Sequence, residues 1–244
     1  MYSNQTKYTH TEDIHNVASP SIIVPELIKI VNPKSVVDIG CGLGTFLKVF
    51  KSLGVNEVLG VDGPWVNKEL LYKNIAPNEF FESDLEKEIN LDKTYDLVIS
   101  LEVAEHLSEN AADEFVKSLV NAGKVILFSA AIPNQGGQNH INEQWLTYWE
   151  EKFSKHNYVI HDILRPLFWD HPEVFWWYKQ NMVLFVADNH PLNLSGNVAV
   201  PMRNLVHYQL YQIKAQEAQD HAADERGSHR NPQLPRRAAG LALG

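Results

Sequence analysis

Short runs of Val, Ile and Leu recur along the first three quarters of the chain, separated by stretches in which apolar positions return every three or four residues. The uninterrupted runs predict buried strands at 35–39, 57–61, 96–100, 124–129, 158–164 and 182–187, with a shorter one near 79–82. The periodic stretches predict helices at about 43–52, 110–121 and 143–155, and one more within 65–75. Ahead of them, Ser19-Pro20 offers an N-cap and a first helical position for a helix carrying Ile22, Ile23, Leu27 and Ile30. Such alternation predicts an α/β fold: a doubly wound, mostly parallel seven-stranded sheet with helices on both faces. Right-handed crossovers then put the ligand crevice at the carboxyl ends of the strands.

The pattern changes after residue 189. Residues 190–204 are rich in Pro, Asn and Gly, 205–226 read as a polar helix, and 227–244 hold Arg, Pro, Ala and Gly with little to bury. We therefore divide the chain into an N-terminal segment 1–18, a main domain 19–189, an extension 190–226 and a tail 227–244 expected to be disordered. The extension helix can serve packing or homo-oligomer formation, or stay solvated. The N-terminal segment, with His10, Glu12 and His15, can close over a site as a lid or remain an unstructured start.

Composition narrows the function classes. With 244 residues, 44% hydrophobic and 21% charged, the chain can build one well-buried domain. A formal charge of −9 disfavours a broad nucleic-acid surface, which needs clustered Lys and Arg. The single cysteine, Cys41, excludes an intrachain disulfide and fits a reducing cytoplasm. No apolar run approaches the length of a membrane span, and the polar start MYSNQTKYTH does not read as a signal peptide.

The chemistry begins at residues 36–47, VVDIGCGLGTFL: a strand, a glycine turn and a helix start. Gly40, Gly42 and Gly44 allow close approach of backbone to a ligand. The spacing is G-x-G-x-G, with Thr45 where a dinucleotide fingerprint needs its last glycine. Asp38, two positions before the first glycine, gives the turn its resemblance to motif I of class I S-adenosylmethionine (SAM) methyltransferases. Three later segments extend the resemblance in order. LGVDG places Asp62 and Gly63 at the end of the second strand, where an acidic side chain can accept from both ribose hydroxyls. Ser83-Asp84-Leu85 is similar to the motif that contacts adenine, and YDLVISLEVAEHL to motif IV. The resemblance implies a Rossmann-like fold, SAM as cofactor, and a donor site formed by Asp38, Gly40, Cys41, Gly42, Gly44, Asp62, Gly63, Asp84 and Leu85. It also implies that Asp38 orders the turn and nears the donor's amino group.

Motif IV ends in Glu102-Val103-Ala104-Glu105-His106. On a helical turn, positions i, i+3 and i+4 share a face, so both carboxylates and the imidazole could hold a divalent cation. The loop IPNQGGQNHINEQW, after the fifth strand, carries His140 to the same edge of the sheet. Glu-x-x-Glu-His with a later loop His is similar to the small-RNA 3′-terminal 2′-O-methyltransferases, which implies Glu102, Glu105, His106 and His140 as metal ligands. The mixed His/carboxylate set suits Mn or Fe better than Mg. Glu102 and His140 are also the catalytic candidates; without a metal, His140 is the base for an alcohol proton.

Residues 141–178 hold five tryptophans. Trp145, Trp149 and Phe153 recur at spacing four, the mark of core packing. The segment 168–178, with His171 and nearby Arg165, reads as an irregular aromatic loop able to hold a sugar or phosphate, or to act as a structural plug. The stretch from Gly136 to Val186 resembles methyltransferases of bacterial glycan and surface-polysaccharide (capsule) biosynthesis, which implies a sugar or sugar-nucleotide hydroxyl as acceptor. RNA 2′-O-methylation and a non-catalytic SAM-binding module are the alternatives.

Overall fold

Each apolar run becomes a strand because only a sheet covered on both faces can bury it whole. The computed structural model describes residues 8–11, 13–192, 194 and 203–228, without the side chains of 223–228. The expectations for Glu12, most of 195–204 and 229–244 lie outside the described residues. In chain order the elements are α1 (Ala18–Val31), β1 (Ser35–Ile39), α2 (Thr45–Ser52), β2 (Glu57–Asp62), α3 (Lys68–Leu71), β3 (Phe80–Glu82), β4 (Leu97–Leu101), α4 (Ala112–Ala122), β5 (Val125–Ser129), α5 (Leu146–Ser154), β6 (Tyr158–His161), α6 (Arg165–Phe168), α7 (Trp176–Asn181) and β7 (Val183–Ala187). The seven strands form one sheet in the order β3-β2-β1-β4-β5-β7-β6. The pairings among β1 to β5 are parallel, and β7 runs antiparallel to both β5 and β6. The expected Rossmann-like, mostly parallel sheet is therefore the observed one.

Alternation along the strands feeds two cores. Val37 and Ile39 join Phe115, Phe128, Trp149, Phe153 and Phe185 in one cluster. Val36 joins Ile23, Leu27, Leu47, Phe50, Ile99 and Leu184 in the other. Phe153 stacks on Phe185 with centroids 4.0 Å apart. Register fixes the site: Asp38 of β1 lies opposite Gly60 of β2 on one side and Ile99 of β4 on the other. A separate unit begins at Tyr208 with α8 (Tyr208–Ser228), a polar helix exposing Tyr211 and Ile213. No described helix is long and apolar enough to cross a membrane.

Several expectations are corrected. Ser19 does not cap α1: the helix starts at Ala18 after Val17, and the buried Ser19 Oγ accepts the Phe175 N–H at 2.9 Å. Tertiary packing has taken its hydroxyl from the cap. The helix within 65–75 shrinks to α3, and the sixth strand stops at His161. Trp145 stays 37% exposed at the start of α5, while Trp149 and Phe153 enter the core.

The aromatic segment is irregular over 169–175, as expected, and is bounded by α6 and α7, with Phe168 and Val174 in the core. Arg165 is not offered to a sugar or phosphate. It is buried and forms a two-pronged ion pair with Asp162, Nε–Oδ1 at 2.8 Å and Nη2–Oδ2 at 2.7 Å. His171 accepts the Glu173 N–H through Nδ1 at 3.3 Å, a local turn contact. The structure thus favours the plug.

Removing one partner of a buried ion pair strands the other charge. Asp162→Ala should cost about 3–5 kcal/mol of stability, read as a lower urea midpoint, with Asp162→Asn costing less because it keeps a hydrogen-bond acceptor.

Candidate active site

The carboxyl ends of β1, β2 and β4 build the first half of the site. Beyond Ile39 the chain turns sharply, with the Gly40 and Cys41 N–H groups donating to the Val61 carbonyl at 2.8 and 3.2 Å. Gly40 and Gly42 adopt φ of 89° and 51°, a region open to glycine. A Cβ on Gly40 would also collide with Val103. Asp62 braces the turn: Oδ2 accepts the Gly42 N–H at 2.8 Å and Oδ1 accepts the Gly63 N–H at 2.7 Å. The Trp65 indole lies across Gly63 where a Cβ would stand. Cys41 is buried and packs against Gly60.

Burial dominates the electrostatics here. It pushes the Asp38 carboxyl up to about 8, with the Asp62 charge adding to the effect. It lifts Asp62 to about 6, against the stabilising hydrogen bonds from Gly42, Gly63 and Trp65. Asp84 and Leu85 follow β3, placed by the Ser83 N–H donating to the Asp62 carbonyl at 2.9 Å. Leu85 is buried, while Asp84 is half-buried, accepts the Glu86 N–H and pairs with Lys87.

The second half lies past β4. Glu102 sits at the strand end with φ 55°, an uncommon conformation for a side-chain-bearing residue. Its N–H is held by the Ser129 carbonyl at 3.1 Å and Oγ at 3.0 Å. Ala104–His106 then form a single 3-10 turn. Glu102 therefore does not share a regular helical face with Glu105 and His106. Its oxygens accept from Asn181 Nδ2 at 3.0 and 3.3 Å and from Gln135 Nε2 at 3.0 Å. Burial pushes its carboxyl up to about 7 despite these amides.

Glu105, His106 and His140 do converge: one ligand-type atom from each lies within 4.8 Å of the others. The loop after β5 is responsible, because the Ile141 and Asn142 N–H groups both donate to the Glu105 carbonyl, at 2.9 and 3.0 Å. A Cβ on Gly137 would strike the His140 ring, so that glycine makes room for it. His140 Nδ1–H donates to Glu143 Oε1 at 2.8 Å, and His106 Nδ1–H faces the Asn139 carbonyl at 3.4 Å. These contacts leave Nε2 of each imidazole as a lone-pair donor.

The donor set fits a cation. Both Glu105 carboxylate oxygens are buried without a hydrogen-bond partner. Burial, then the Glu102 charge, push that carboxyl well above the usual range, and the nearby amides of Glu105 and Ala131 only partly oppose them. An orphaned carboxylate facing two imidazoles is an arrangement that a divalent ion satisfies. The carboxylate on the far nitrogen of His140 is the usual support for a metal-bound imidazole.

Other residues at the site carry no motif. Gln135 and Asn181 reach Glu102 from distant segments, and Glu143 reaches His140 from within the same loop. The one visible signal is Lys179-Gln180-Asn181, a polar run abutting an apolar strand, all three residues buried. Tyr178, beside them, has its phenol pushed up by burial and then by the charge of Glu102.

A family model described as a methyltransferase domain matches residues 18–171. Among relatives, 235L of Invertebrate iridescent virus 6, which carries a methyltransferase name, is 26% identical over 165 residues, 64% of this chain and 60% of that protein. The ribosomal protein L11 methyltransferase of Thermosipho melanesiensis is 38% identical over 96 residues, 38% of this chain and 36% of its own length. The alignments thus span less than two thirds of either relative. Among solved structures, the methyltransferase domain of bacterial CtHen1 superposes with a TM-score of 0.51 at 21% identity, covering 70% of this chain and 100% of that one, a likeness of fold.

The buried groups set a pH dependence of stability. Above the ordinary carboxyl range the folded chain keeps a proton on Asp38 that the unfolded chain has lost, so stability falls as pH rises toward about 8. On the acid side, burial holds His10 at about 3 and His15 and His106 at about 4, so the unfolded chain takes up protons first and stability falls as pH drops below 6.5. Burial raises Asp62, Glu102 and Glu105 as well, so the alkaline loss sets in by about pH 6 and melting temperature should decline from there toward pH 8. Asp38→Asn should flatten the alkaline limb, which a series of thermal melts will read.

Proposed function

The chain belongs to the methyltransferase-domain family, and on that premise we propose that it is a SAM-dependent O-methyltransferase, aided by a divalent cation, that methylates a sugar hydroxyl. The observation that carries this reading is the convergence of Glu105, His106 and His140 at the strand edge that also bears the glycine turn. The fold and the Asp38–Gly44 turn support the methyl donor. Asp62 is set to meet its ribose, and the buried carboxyl of Asp38 suits the donor's ammonium group.

Glu105, His106 and His140 would hold the cation, with Glu102 alongside. Bound there, Mn, Fe or a similar ion would polarise a hydroxyl oxygen and lower its proton affinity. Glu143 keeps His140 in the tautomer that presents Nε2. Gln135 and Asn181 hold Glu102 at the strand end, where its raised pKa lets it exchange a proton near neutrality. In this reading the acceptor oxygen attacks the sulfonium methyl as the methyl–sulfur bond breaks and S-adenosylhomocysteine leaves, the hydroxyl proton passing to Glu102 or, without a metal, to His140 Nε2.

The sugar acceptor, nucleotide-linked and serving capsule or surface-polysaccharide synthesis, rests on the resemblance of residues 136–186. The −9 charge agrees with a small acceptor rather than a long nucleic acid. The ligand pattern also supports a second reading, 2′-O-methylation of an RNA terminal ribose. Turnover of labelled SAM with a panel of nucleotide sugars and with short RNA separates the two; RNA accepted while all sugars are refused reverses the order.

Two variants test the cluster. Glu143→Gln should weaken Mn2+ binding by about 10–100-fold while leaving SAM affinity intact, and His140→Ala should weaken it further. Full turnover in the presence of a chelator, with unchanged Mn2+ titrations, would overturn the metal role.

A further inference from the structure

Residues 8–11 and 13–17, ahead of α1, lie on the site. The Ile14 and His15 N–H groups donate to the Thr11 carbonyl, at 3.3 and 2.8 Å, forming a turn. Asn16 Oδ1 accepts the Ala18 N–H at 2.9 Å and ties that turn to the helix. His10 and His15 pack ring to ring, centroids 4.7 Å apart. Tyr8 crosses both rings, and its hydroxyl lies 3.3 Å from His15 Nε2.

This cluster touches both halves of the site at once. A methyl group placed on Gly42 would stand 2.9 Å from Cδ2 and 3.0 Å from Nε2 of His10, and 3.7 Å from Nδ1 of His15. Gly42 is the residue whose N–H is bound by Asp62, so the imidazoles approach the glycine turn beside the carboxylate expected to hold the donor's ribose. At the other end, the Tyr8 ring meets the His106 ring edge-on at 4.9 Å, and His106 meets His140 at 4.8 Å. A continuous row of rings therefore runs from the donor turn to the Glu105/His106/His140 cluster.

We propose that His10 is a donor-binding residue, carried by a strap of residues 8–11 and 13–17 that closes the donor cleft at Gly42 and is braced by Tyr8 against His106. This rests on the methyl-donor reading of the glycine turn. A ligand lying along the turn meets His10, which offers an aromatic face and ring nitrogens to its polar groups. The strap thereby shields the space between donor and cluster from water. Its two anchors are short-range packing contacts, so it can open for exchange without disturbing the sheet.

S-Adenosylhomocysteine, the demethylated donor, is the probe. Calorimetry on the full chain should show His10→Ala binding it about tenfold more weakly than wild type. Tyr8→Ala, which removes the brace, should weaken it by the same route, and the double variant should lose little more than His10→Ala alone. Hydrogen exchange at the amides of 14–16 should slow on binding in the wild type and not in His10→Ala. Affinity of His10→Ala within twofold of wild type, or tighter because the strap occupies donor volume, overturns the proposal, as does exchange unchanged by ligand. Failure of the wild type to bind the probe overturns the donor reading itself, and the strap with it.

Discussion

Parallel pairing of β1 with β2 and β4 is the constraint on which the rest of the site depends. Parallel strands all end at one edge of the sheet, so residues far apart in sequence leave their strands side by side. Asp38, Asp62 and Glu102 are each near such an end. The register of Asp38 against Gly60 and Ile99 sets their spacing. Once β1 is fixed, the Val61 carbonyl can receive the Gly40 and Cys41 amides, and the glycine turn follows. A shift of one residue would move Asp38 to the opposite face and dismantle the turn.

The second consequence is electrostatic. Four carboxyl groups, Asp38, Asp62, Glu102 and Glu105, are withdrawn from water around one edge, and burial raises the pKa of each. His10, His15 and His106 are driven the other way by burial. A site so arranged attracts positive charge: a sulfonium, an ammonium or a metal cation. Its carboxyl groups are costly without such partners, which supports the ligand site proposed for them.

The sheet, the glycine turn and the strand-end acids were legible in the sequence because they depend on local signals: apolar runs, glycine spacing and an acidic residue at a fixed offset. His140 could be nominated because its loop leaves the same edge, yet its meeting with Glu105 and His106 depends on the Ile141 and Asn142 amides reaching the Glu105 carbonyl. Arg165 illustrates the opposite case. An arginine beside aromatic residues reads as a binding group, and only Asp162, three residues earlier, and the burial of both show it to be structural. Ser19 likewise has the composition of a cap but bonds Phe175, 156 residues away.

By itself the sequence determined an α/β chain, a glycine turn resembling that of class I methyltransferases and a list of candidate side chains, because periodicity and short motifs are encoded within a few residues of one another. Tertiary structure alone decided which candidates meet. It separated Glu102, held by Gln135 and Asn181, from the Glu105/His106/His140 group, and it laid Tyr8, His10 and His15 across the gap. Hydrogen bonds and ring contacts between distant segments leave no periodic trace in the chain, and these are the interactions that shape the acceptor side of the site.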